Sequence, residues 1–303
     1  MSINLSFSYL LICLLVVTTG MYGQGNDGLL TTVLESRIQP APEFVFTKFR
    51  RAGMNPVKHV LTSEEKKIVT AALSELPPLH KKILREHLHS ISFMDNMPNT
   101  ALTSPVDTLG GIARFNIVFR AEILHETISQ WATWKENACY TFSEDRDYKV
   151  VVEAGNLDAI LYVLLHEATH VVDAVLNLTP HDESEIAATD FTEGIWQKMN
   201  LPVETFCNPL LETTRFRSGN PISILSAPEV YKELGETPFV SLYSMASWFE
   251  DIAELVTIYH LTVRMKQPYK VIVSRNGALI AEYEPSKNDL VQKRQGLLKV
   301  FYD

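Results

Sequence analysis

The sequence predicts an α+β fold with a small N-terminal sheet and a mainly helical C-terminal half. Three observations lead there. Strand-like runs fall mostly before residue 155, helical periodicity dominates after it, and no internal repeat or low-complexity tract interrupts the 303 residues. The composition, 46% hydrophobic and 21% charged, supplies ample apolar material for a core. A formal net charge of -9 provides no basic field, which excludes nucleic acid as a partner.

Met1 to Asn26 carry no charged side chain, and Tyr9 to Val17 (YLLICLLVV) form one apolar run. The run is too short to span a bilayer and has the length of a signal-peptide core. Small residues at Thr18, Thr19, Gly20 and Gly23 place a cleavage site between Gly20 and Gln24. The chain divides accordingly into a signal peptide (1–23), an N-terminal extension (24–61) and one domain (62–303), with a secreted or periplasmic, extracytoplasmic product. Lys and Arg are missing from the segment before the apolar run, so an uncleaved anchor stays open. No later stretch reads as a second membrane helix, and no stable membrane association is expected after cleavage. Cys139 and Cys207 then remain, either as a disulfide or as two separate thiols.

Gly25 to Pro42 is polar and irregular and leads into the apolar Phe44-Val45-Phe46. Thr62-Ser63-Glu64-Glu65 marks a helix start that runs to about Leu76, where Pro77-Pro78 stop it. A second helix covers Leu79 to His87. His89 to Met94 is a strand, Asn96 to Pro105 is turn-rich, and Ile112 to Ile123 and Tyr148 to Val152 are further strands. Helices follow at Asn156–Leu176 and Ser244–Met265, with a less regular stretch over Glu183–Met199. Tyr269–Ser274 and Ala278–Tyr283 form a hairpin about Asn276-Gly277, and a helix from Asn288 to Phe301 closes the chain.

The segment NLDAILYVLLHEATHVVDAVL is apolar nearly all round, yet holds His166, Glu167 and His170. Burying ionisable groups in such surroundings costs several kcal/mol unless something compensates. A cation does so. His166 and His170 are four residues apart, on one helix face, so both imidazoles reach one tetrahedral ion. Glu167, turned by about a hundred degrees, reaches a water on that ion. This is the HExxH pattern associated with zinc.

With these residues the sequence resembles the zincin metallopeptidases. Metzincins continue as HExxHxxGxxH, and the matching positions here are Asp173 and Leu176, which excludes that branch. Gluzincins take a glutamate from a later helix with an acid four residues on, and SWFEDIAELVTIYHL is similar, with Glu250 and Glu254. Around the site the resemblance is nearest to the lethal-factor-like peptidases, whose HExGHxxD, tyrosine and ExxxE are matched by HEATHVVD, Tyr243, Glu250 and Glu254. Ala168-Thr169 and the longer gap to Glu250 depart from that pattern. The resemblance implies a zincin-like domain binding Zn²⁺ through His166, His170 and Glu250, with Glu167 as catalytic base and Tyr243 as oxyanion donor. It implies that Glu254 supports a ligand histidine, and Asp173 reads as a further supporting residue. The expected activity is zinc-dependent hydrolysis of protein or peptide substrates. The rivals are an exported non-catalytic zinc-binding module and a zinc amidase acting on cell-wall peptides. Ser247 and Glu250 also fit a plain capping box, and Glu229 with Glu233 is a competing acidic pair.

Overall fold

The computed structural model describes residues 34–106, 112–142, 147–181 and 188–303. The signal-peptide reading, the apolar run that carries it and Cys13 lie outside these residues.

Residues 34–61 are bound to the body of the protein. Leu34 lies in the main core, and Ile38 bridges Ile91 in parallel. Phe44-Val45-Phe46 belongs to a helix, α1 (Glu43–Arg51), whose Val45 and Phe49 pack with Met94, Met97 and Val118 in a small second core. Strand β1 (Val57–Lys58) adds to the edge of the sheet. Helix α2 (Ser63–Glu75) opens with the expected capping box, the Thr62 hydroxyl accepting from Glu65 N and Glu65 accepting from Thr62 N. Helix α3 (Pro78–His87) begins on its proline, where a missing N–H costs nothing.

Strand β2 (Leu88–Asp95) follows directly. The turn-rich reading of Asn96–Pro105 is corrected: residues Ala101–Val106 form strand β3, antiparallel to β4 (Arg114–Arg120). The sheet order is β1-β2-β4-β3, so β3 is an edge, where Pro105 removes no needed ladder bond. A capping box at Thr127 and Gln130 starts α4 (Ile128–Asn137), which was not foreseen. Strands β5 (Tyr140–Thr141) and β6 (Tyr148–Glu153) come next.

Helix α5 (Ala159–Leu176) is the central rod, packed by α2, α3, α4, α8 and β3. Asn177, at φ 52°, ends it in the left-handed conformation. By length and hydropathy this helix does pass for a membrane span, contrary to expectation. Of its 18 residues 78% are nonetheless buried inside the protein, as in a core helix.

Residues beyond α5 are less helical than expected. Strand β7 (Trp196–Lys198), at the end of the supposed Glu183–Met199 stretch, forms a small hairpin with β8 (Leu201–Pro202) just beyond it. A short α6 (Arg215–Ser218), β9 (Ile222–Ser223) and α7 (Ala227–Gly235) lead to α8 (Trp248–Tyr259). This helix continues as one π-helical turn over His260–Arg264. Strands β10 (Lys270–Arg275) and β11 (Ala278–Tyr283) make the Asn-Gly hairpin, with both turn residues at positive φ, and β10 pairs β6. Helix α9 (Asp289–Arg294) passes into 3-10 turns. The architecture is therefore α+β. Cys139 is buried, Cys207 is exposed, and both are free thiols.

Candidate metal centre

Helices α5 and α8 pack side by side, and their facing residues meet in a buried polar cluster. His166 and His170, one turn apart on α5, bring their Nε2 atoms to 3.1 Å. Glu250, in the first turn of α8, places Oε2 2.9 Å from His166 Nε2 and 3.6 Å from His170 Nε2. These three atoms could hold a metal ion. A tetrahedral zinc site with bonds of about 2.0–2.1 Å has ligand-to-ligand edges of about 3.3–3.4 Å, and the three separations straddle that length.

The donor chemistry fits a cation. His166 Nδ1 faces Glu254 Oε1 at 3.0 Å. A proton held on Nδ1 leaves Nε2 with its lone pair, pointed at a carboxylate oxygen and a second imidazole. Three electron-rich atoms at such distances repel unless a positive charge sits among them. Burial by itself would lower the His166 pKa, but hydrogen bonds with Glu250 and Glu254 outweigh it and push it up to about 10. Burial would raise Glu250, yet the neighbouring His170 and His166 hold its carboxyl far below the usual range. Both shifts state the same demand for positive charge.

Glu254 supports this arrangement with all its oxygens engaged. Oε2 accepts from Tyr162 Oη at 2.8 Å and from Ser241 Oγ at 2.7 Å, and Oε1 lies 3.3 Å from Lys135 Nζ. Burial favours its neutral form, but Lys135 and then His166 bring its pKa down to about 2. Two buried carboxylates (Glu250, Glu254) against one ammonium (Lys135) leave net negative charge beside two imidazoles, which a bound cation would offset. The other acid on this turn of α8, Asp251, is satisfied elsewhere, by a two-bond pair with Arg294 and by Trp196 Nε1.

Glu167 is directed towards the edge strand, its Oε2 accepting from Thr103 Oγ1 at 2.6 Å. The ring of Tyr243 stacks on His166 at 5.6 Å, with Phe216 against it at 4.9 Å. The structure thus brings His166, His170, Glu250, Glu254 and Tyr243 together, with Glu167 on the adjoining face of α5. Among the described residues, Asp173 is bonded to neither His166 nor His170 and so is not seen to support one of these imidazoles. Its oxygens accept from Thr179 N and Oγ1 and face His181 Nε2 at 3.3 Å, so it anchors the chain leaving α5. The capping alternative for Glu250 is half met. Ser247 Oγ accepts from Glu250 N, while the Glu250 carboxylate turns to the histidines. The competing Glu229 pairs with Lys232 at the surface.

Thr103, Lys135, Tyr162 and Ser241 were not foreseen. Tyr162 had a signal, lying one turn before His166 on the same face of α5. Lys135 follows the overlooked capping box of α4. No family model, curated protein or solved structure matches the chain.

Proposed function

We propose that the protein is an exported zinc metallopeptidase of the gluzincin type, hydrolysing peptide bonds in protein or peptide substrates. The observation that carries this reading is the convergence of His166 Nε2, His170 Nε2 and Glu250 Oε2 within a buried helix pair, with Glu167 next in sequence. His166, His170 and Glu250 would hold the ion. When bound, zinc supplies Lewis acidity to a water and to the scissile carbonyl.

The remaining work belongs to the chain. Glu167 takes the proton of the attacking water and returns it to the leaving nitrogen, a role that contributes about 10²–10⁴-fold. Glu254 keeps the His166 ring in the tautomer whose Nε2 is free to ligate. Tyr243, stacked beside His166, donates a hydrogen bond to the oxyanion as the carbonyl is attacked.

Metal analysis of the purified full chain tests the reading, together with hydrolysis of denatured protein. About one zinc per chain is expected in the wild type, and none in His166→Ala or Glu250→Ala. Glu167→Gln should keep its zinc and lose activity by about 10²–10⁴-fold. Undiminished zinc in Glu250→Ala would remove Glu250 from the centre. Cleavage of peptidoglycan fragments but not of denatured protein would move the substrate class to cell-wall peptides.

A further inference from the structure

Lys135 occupies an unusual position for a lysine. It lies on α4, 119 residues from its ion partner Glu254, and its side chain is only 17% exposed. Three aromatic rings surround its ammonium: Tyr243 at 3.9 Å, Trp131 at 5.2 Å and Tyr162 at 5.8 Å from their centroids. A surface-seeking side chain is therefore held inward, and its head joins two residues of the centre. On one side is the carboxylate that faces His166, on the other the ring that stacks on it.

The two contacts have opposite consequences for an ion. A positive charge beside Glu254 offsets part of the negative field that attracts a cation, so it weakens metal binding. The same charge on the face of Tyr243 fixes that ring by a cation–π contact and holds its place against His166. Tyr162 and Ser241 already orient Glu254 without Lys135. Orientation of the carboxylate is thus not what the lysine adds.

We infer that Lys135 is a charge-setting and positioning residue of the centre, one that loosens the hold on a divalent ion while clamping Tyr243 for the reaction. This rests on the proposed metallopeptidase reading, but its first readout needs only metal binding. A merely structural lysine, when removed, disturbs the site and weakens its grip. A charge-setting lysine, when removed, leaves a tighter one.

The test is a competition titration of Zn²⁺ with a chromophoric chelator on the full chain, for wild type, Lys135→Met, Lys135→Gln and Lys135→Arg. Both neutral variants should bind zinc more tightly, by about tenfold or more for a charge a few ångströms behind a ligand. Lys135→Arg should stay within about twofold of wild type, since the charge is kept. Steady-state hydrolysis by the same zinc-loaded proteins should show kcat reduced about tenfold in the neutral variants, with KM little changed and the arginine variant largely restored. Equal or weaker zinc binding by both neutral variants overturns the inference, as does an unchanged kcat for its positioning part. If His166→Ala binds zinc as well as wild type, the metallopeptidase reading itself fails, and that result is separate from the behaviour of the Lys135 variants.

Discussion

Glu167 differs from the other carboxylates of the centre in having a single described side-chain partner, the hydroxyl of Thr103 at 2.6 Å. A glutamate with that one tether can rotate away from a reacting water, so the threonine sets its direction. Replacing Thr103 by valine keeps the shape and removes the donor. Activity should fall about fivefold, in proportion to a net hydrogen bond of about 1 kcal/mol, while zinc content stays at the wild-type level. Thr103→Ser should recover most of the loss. Zinc analysis beside steady-state hydrolysis checks both, and lost metal in Thr103→Val would instead make the threonine a support of the ligand set. The contrast with Glu254 is instructive: Tyr162, Ser241, Lys135 and His166 surround it, and it is 1% exposed. The many partners of Glu254 and the single tether of Glu167 agree with the support and proton-carrier roles proposed for them.

Local signals account for much of the architecture. Thr62 with Glu65 opened α2, Pro77-Pro78 separated it from α3, Asn276-Gly277 turned the last hairpin, and the apolar sweep of residues 159–176 gave the central helix. The pairing of His166 with His170 was legible for the same reason, because one helical turn relates them. What escaped was either masked by composition or long in range. Pro105 and its polar neighbours hid β3, which only its edge position makes tolerable. Tyr162 meets Glu254 across 92 residues and Lys135 meets it across 119, distances over which no spacing rule operates. Helix α4 could have been found, since Thr127 and Gln130 form a reciprocal capping box. Thr127→Ala should lower stability by about 1 kcal/mol in urea unfolding. A loss well below that would mean that packing of Ile128 and Trp131, both buried, starts the helix without its cap.

Taken through the fold as a whole, the buried charges give the protein a definite response to pH, and Glu136 dominates one part of it. It is 6% exposed on α4 and accepts from Tyr231 Oη of α7 at 2.8 Å, joining a helix of the first half to one of the second. Burial, above all, pushes its pKa up from 4.5 to about 7. The Tyr231 hydrogen bond and Lys135 oppose that rise, and the charge on Glu254 adds to it. The folded protein therefore keeps a proton that the unfolded chain releases near its ordinary value. Between pH 4.5 and 7 the native state binds more protons than the unfolded state, so stability falls as pH rises through that window and levels off above it. The total is about 3 kcal/mol at about 1.4 kcal/mol for each pKa unit. Glu136→Gln is neutral throughout and can still accept from Tyr231. Urea unfolding at pH 4 should give equal stabilities for the two proteins, and at pH 8 the glutamine variant should be more stable by about 3 kcal/mol. Comparing the two at each pH cancels every other titrating group. A difference that does not change from pH 4 to pH 8 would show that Glu136 ionises in the fold as easily as it does in water, with the Lys135 ammonium sufficient to stabilise both Glu136 and Glu254.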